Sequence, residues 1–138
     1  MKKFLIVVFV IFFSVVTIAG FLAVYNPNPT APPIYYPAEE PITSITVSQK
    51  VDEIPIKINE TDFEELLQII CSAEPTRKPS VNDRPYAESY YILDIETAAM
   101  TYRYFVYTEN SKIYLELPYQ GIYRADQQLW NFITAYFK

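Results

Sequence analysis

The 138-residue chain has no histidine, one cysteine and two glycines, and each shortage removes a class of chemistry. Without histidine no side chain has an ordinary pKa near neutrality. This excludes His-containing metal sites and Ser-His or Cys-His nucleophile pairs. A lone cysteine, Cys71, forms no internal disulfide, so stability rests on the core. Gly20 and Gly121 are too few to build a Gly-rich phosphate cradle. No calcium loop of spaced aspartates is present, and no metal or cofactor is expected. Cations are scarce as well: 11 Lys and Arg stand against 16 Asp and Glu. Beyond Lys2 and Lys3 the balance is 9 against 16, a formal charge of about −7, which disfavours nucleic acid as a partner.

Charge is missing altogether near the start. The run that begins at Phe4 and ends at Val24, FLIVVFVIFFSVVTIAGFLAV, is 21 uncharged residues. At about 1.5 Å per residue, a helix of that length roughly matches a bilayer core. Lys2 and Lys3 precede it and the next cation is Lys50, which places the N-terminus in the cytoplasm and the rest outside. The expected organisation is a signal anchor or transmembrane helix over residues 1–25, a Pro-rich stalk over 26–41 and an extracytoplasmic domain over 42–138. The chain would then be a single-pass protein of the cell membrane. Thr17-Ile18-Ala19 offers the alternative of secretion after cleavage near Ala19. Six of the eleven prolines lie between Pro27 and Pro41. Polyproline II over those 16 stalk residues, at about 3.1 Å each, would hold the domain roughly 50 Å from the membrane.

Alternating runs follow. ITSITVS and EIPIKI read as strands, with Pro55 demoting the second to an edge. NETDFEELLQIICS reads as a helix with a Thr61/Glu64 capping box. Phe63, Leu66, Leu67 and Ile70 form its apolar stripe, and Cys71 is expected to be a buried, inert thiol beside it. YYILDIE, MTYRYFVYT and KIYLEL read as three antiparallel strands. A two-residue Asn110-Ser111 turn sets Thr108 against Ile113 and Val106 against Leu115. An even loop after Thr97 sets Ile95 against Tyr102, Leu93 against Tyr104 and Asp94 against Arg103. ADQQLWNFITAYFK reads as a closing helix capped by Asp126. The fold class is α+β: an antiparallel sheet of about five strands with two helices on one face, in the order ββαβββα.

Two surfaces are candidates for binding. The first joins EPTRKPSVNDRPY, a connection too long for an ordinary spacer, to LPYQGIYR, which carries the only glycine of the exported part. It offers Arg77, Lys78, Asn82, Asp83 and Arg84 from one stretch and Tyr119, Gln120, Gly121 and Tyr123 from the other. Gly121 reads as a bulge or turn leading into the last helix, and the loop is expected to be ordered, with Arg77 or Arg84 paired internally. The second surface is the outer sheet face, with Phe105, Tyr107 and Tyr114. Asp94, Glu96 and Glu116 share that outer face, which leaves carboxylate-dependent glycan hydrolysis as the residual catalytic reading.

PTRKPSVNDRPY together with YRYFVYTENSKIYLELPYQGIYR resembles a family of uncharacterised small domains of Gram-positive bacteria, often anchored by an N-terminal segment. The resemblance implies exported placement and a single α+β domain, and brings no activity. The expected function is a non-enzymatic, membrane-anchored extracytoplasmic binding or regulatory module with a protein partner or cell-wall glycan. A structural subunit of a cell-envelope assembly is the alternative.

Overall fold

The computed structural model describes Ile11, residues 14–17, Gly20, and residues 28–35, 40–49 and 53–138. Seven strands form one antiparallel sheet: β1 (Ile42–Ser48), β2 (Ile56–Lys57), β3 (Glu74–Pro75), β4 (Tyr91–Thr97), β5 (Thr101–Glu109), β6 (Lys112–Leu117) and β7 (Gly121–Ala125). Their order across the sheet is β2-β1-β4-β5-β6-β7-β3. Between residues 40 and 138, two helices among the described residues, α1 (Phe63–Cys71) and α2 (Gln127–Ala135), complete an α+β fold with more strands than the five expected.

The hairpins follow from local chemistry. Asn110 and Ser111 both adopt positive φ, at 50° and 59°, as a two-residue turn requires when its twist matches the strands it joins. Their turn pairs Val106 with Leu115 and Thr108 with Ile113. At the preceding turn the Thr97 hydroxyl accepts from the amides of Ala99 and Met100 at 3.3 and 3.2 Å. The resulting register pairs Leu93 with Tyr104 and Asp94 with Arg103, as the alternation predicts. The Arg103 guanidinium donates to both oxygens of Asp94, at 2.8 and 2.7 Å.

One sheet face carries Ile45, Val47, Leu93, Ile95, Tyr104, Val106, Leu115 and Tyr123, all fully buried against Leu66 and Ile70 of α1 and Leu129 and Ile133 of α2. Asp126 caps α2 by accepting from the Gln128 amide at 2.7 Å. The capping box expected at α1 does not form. Residues Glu60–Asp62 make a 3-10 turn ahead of the helix, and the Thr61 hydroxyl donates to Asp62 instead. The α1 stripe is rotated to include Ile69, which leaves Cys71 exposed rather than buried. The strand read in EIPIKI shrinks to two residues, as the lost donor of Pro55 allows.

Part of the segment read as a stalk is seated on the domain. The Ala31 amide donates to the Thr76 carbonyl at 3.1 Å, and the Tyr123 hydroxyl donates to the Pro32 carbonyl at 2.8 Å. Ile34 is buried in the core beside them. Gly121, expected at a turn or bulge, is the first residue of β7, without positive φ. Its role is close approach, because a Cβ there would overlap that of Ala31. The anchor expected from Phe4 to Val24 lies mostly outside the described residues. Among the described residues no helix is long and apolar enough to cross a membrane.

The two helices are tied by the Tyr136 hydroxyl, which donates to Asp62 at 2.5 Å. That bond, with those from Thr61 and Asn59, holds Asp62 below its ordinary 3.8. Burial first, and then Asp62, raise Tyr136 above its ordinary 10.0. A depressed carboxylate stabilises the fold above its ordinary value and loses that contribution as pH falls through its folded value. A raised phenol stabilises below its ordinary value and loses that contribution on the alkaline side. Tyr136→Phe should therefore lower the urea midpoint at neutral pH, and its deficit against the parent should narrow below pH 3.8. A deficit independent of pH would show that the bond is not linked to Asp62 ionisation.

Candidate functional site

Residues 76–90, between β3 and β4, contain no helix or strand and lie across the outer face of β5, β6 and β7. The loop is rooted at Thr76, whose amide and hydroxyl both donate to the Ile122 carbonyl, at 3.1 and 2.6 Å. Just before it, β3 pairs Glu74 with Arg124 and Pro75 with Tyr123, and the Arg124 and Glu74 side chains form an ion pair. Further on, the Tyr119 hydroxyl donates to Asp83 at 2.7 Å. The stretches EPTRKPSVNDRPY and LPYQGIYR are therefore neighbours in space.

The loop covers what the sequence presents as an aromatic surface, and this corrects the second candidate. Phe105, Tyr107 and Tyr114 are buried. Phe105 meets Tyr90 edge-on at 5.2 Å, and Tyr107 and Tyr114 lie 5.7 Å apart. Lys78 Nζ sits 4.3 Å from the centre of the Tyr114 ring and 2.5 Å from Glu109. The bond to Glu109 raises the Lys78 pKa, against the opposing effect of burial. Beneath the loop, Glu116 is buried and accepts from the Ser80 hydroxyl at 2.7 Å and the Tyr107 hydroxyl at 3.2 Å. Burial, and then the Glu116 charge, push the Tyr107 phenol well above its ordinary value. A recess of ≈ 190 Å³ remains between loop and sheet, lined by Lys78, Pro79, Tyr107 and Glu116 among others.

The remaining surface is the tip of the loop. Asn82, Asp83, Arg84, Pro85, Tyr86 and Tyr119 enclose a shallow concavity of ≈ 470 Å³. Tyr86 is 88% exposed, Tyr119 65% and Val81 62%. Pro85 is buried between Arg84 and Tyr86, so both neighbours are turned outward. Tyr119 is presented by strained backbone, with φ at 61°, and its bond to Asp83 raises its pKa.

Of the sequence-predicted residues, Asn82, Asp83, Arg84 and Tyr119 come together at this tip. Gln120 is exposed in the adjoining turn, its amide bonded to the Leu117 carbonyl at 3.1 Å. Arg77 is exposed on the loop. Among the described residues, the internal pairing expected of Arg77 or Arg84 falls instead to Lys78. Gly121 and Tyr123 are buried under the seated arm, so they support the site rather than line it. Val81 and Tyr86 were not singled out from the sequence. The signal for Tyr86 was the preceding proline, which needs a place against the fold.

Of the three carboxylates considered for glycan hydrolysis, Asp94 is bonded to Arg103, Glu116 is buried and bonded to Ser80 and Tyr107, and Glu96 is exposed near the end of β4. Among the described residues, no group of three or more Cys, Asp or Glu is placed to hold a metal. Fold and site together define an α+β domain with an exposed aromatic loop tip.

The family described as a domain of unknown function, DUF5301, matches residues 30–124, and the chain belongs to it. The match takes in Ala31, Pro32 and Ile34 of the seated arm. No curated protein matches the chain. An NMR structure of a protein from Ruminococcus gnavus is 30% identical, with a TM-score of 0.56, over 73% of this chain and 99% of that one.

Removing the Ser80 hydroxyl leaves a buried carboxylate short of a donor, which costs about 1–3 kcal/mol. Ser80→Ala should lower stability by that amount in urea titrations and make the 81–86 segment cut faster by protease under native conditions. Unchanged protection would mean that Glu116 does not hold the loop.

Proposed function

We propose that this chain is a single-pass, membrane-anchored module that binds or regulates a partner on the extracytoplasmic side without catalysis, through the loop tip. The carrying observation is Tyr86 and Tyr119, both exposed, flanking Arg84 around one concavity. Tyrosine and arginine dominate binding hot spots because they bring large contact area and several hydrogen bonds for little lost freedom. Here the underlying loop is fixed by Ser80 on Glu116, Thr76 on Ile122 and Asp83 on Tyr119. A surface of that kind loses little entropy on binding.

Membrane placement is supported by the uncharged run from Phe4 to Val24 and the two lysines ahead of it. The absence of catalysis is supported by the lack of histidine and by the engagement of Asp94 and Glu116.

In intact cells, chemical crosslinking and pull-down should recover a partner with the parent chain. Recovery should fall by roughly tenfold or more on Arg84→Ala with Tyr86→Ala, as expected when hot-spot side chains are removed. Arg77→Ala, outside the concavity, should leave it unchanged. All three side chains are exposed, so melting temperatures should stay close to the parent. Equal recovery from the double variant would remove the tip from the function.

A further inference from the structure

We infer that the partner of the loop tip is a protruding, carboxylate-bearing segment on the extracytoplasmic face of an integral membrane protein, met close to the bilayer. This rests on the membrane-anchored reading above.

The argument begins with the seated arm. A backbone bond from Ala31, a side-chain bond to the Pro32 carbonyl, burial of Ile34 and the missing Cβ of Gly121 against Ala31 hold three of the four positions 31–34 to the domain. The apolar run ends at Val24, so only the chain from Val24 to Ala31 is left to act as tether. At no more than about 3.6 Å per residue it reaches roughly 25 Å. A free stalk through Pro41 would reach about twice as far.

The seat and the tip are at the same end of the sheet. Gly121 follows directly on the turn that carries Tyr119, and Tyr119 is bonded to Asp83 of the tip. Thr76, which receives the arm's amide bond, is also the root of the tip's loop. The end of the domain that meets the tether is therefore the end that bears the contact surface.

Two features select a protein over the lipid itself, and a third sets the charge of its contact. The tip is concave, with ≈ 470 Å³ of space, which suits a protrusion better than a flat bilayer. Acid and base alternate across it, with Asp83 beside Arg84, whereas the exported part carries a formal charge of about −7 and is repelled by anionic headgroups. Asp83 is engaged by the Tyr119 hydroxyl, while Arg84 forms no ion pair among the described residues, so the charge that calls for a partner is positive. A short tether in turn suits a partner at the membrane over a glycan of the outer wall.

Two measurements on the full chain test this. In vesicles, a fluorophore on Tyr86→Cys in a Cys71→Ser background should transfer energy efficiently to headgroup-labelled lipid. Transfer should fall when Ile34→Asp or Gly121→Leu releases the arm. In intact cells, a photo-crosslinking residue in place of Tyr86 should give an adduct to a protein that stays in carbonate-washed membranes. The adduct should drop tenfold or more with Arg84→Glu, and several-fold with either arm variant. An adduct confined to lipid, one that fractionates with wall glycan, or a yield indifferent to arm release would each overturn the inference while leaving the anchor standing. A chain that washes out of the membrane would overturn both.

Discussion

The β5–β6 hairpin is apolar on both faces, and from that constraint the arrangement of the rest follows. Tyr104, Val106, Ile113 and Leu115 face the helices, while Phe105, Tyr107 and Tyr114 point the other way, and all seven are buried. Two amphipathic helices cover only the first face. The second is covered by residues 76–90, a segment without the backbone ladder of a helix or strand. Such a cover has to be fixed by side chains, and the sheet supplies a carboxylate for that purpose. Burying Glu116 is expensive unless its oxygens are bonded. Ser80 from the loop and Tyr107 from the sheet each reach one oxygen, so the bonds that offset its desolvation also fix the loop in one place.

The inner face was legible in the sequence because it obeys a period of two and because Asn110-Ser111 can adopt the positive φ its turn needs. Register, the Asp94–Arg103 pair and the Asp126 cap all follow from short-range rules. The outer face was misread for a reason visible in the same strand. Tyr104-Phe105-Val106-Tyr107 is a continuous apolar run, which marks a strand covered on both sides, while the polar neighbours Arg103 and Glu116 mimic the alternation of a solvated face. β3 and β7 were missed because one has two residues and the other follows a turn so closely that it reads as part of the approach to α2. Nothing local announces a two-residue strand whose partner lies some fifty positions along the chain.

The site was half legible for a related reason. Composition identified the right stretches, since length, prolines and a lone glycine are local facts. Which of their side chains face water is a tertiary fact. Tyr123 and Tyr119 are four residues apart in the same segment, yet one is sealed under Pro32 and the other stands 65% exposed on strained backbone. Prolines between Pro27 and Pro41 signal a segment without helix or strand, and residues 31–34 have neither. Extension suits an arm laid along a domain as well as a stalk that leaves one, and only Gly121, empty where Ala31 needs space, separates the two.

That seat changes what a small surface can achieve. The six residues around the concavity are few beside the 20 to 30 per side of a stable interface, so the tip alone would hold a soluble partner weakly. On the proposed membrane anchoring, confinement would alter the balance, because a short tether would hold this surface and that of a membrane partner within one thin layer. A flexible tether would spread that gain over every orientation of the domain. An arm fixed at the end that carries the tip removes most of the unproductive orientations before contact, and with them much of the entropic cost of docking. Under the proposed anchoring, two tyrosines and an arginine on a fixed loop would be sufficient, and weak intrinsic affinity would leave the contact free to break.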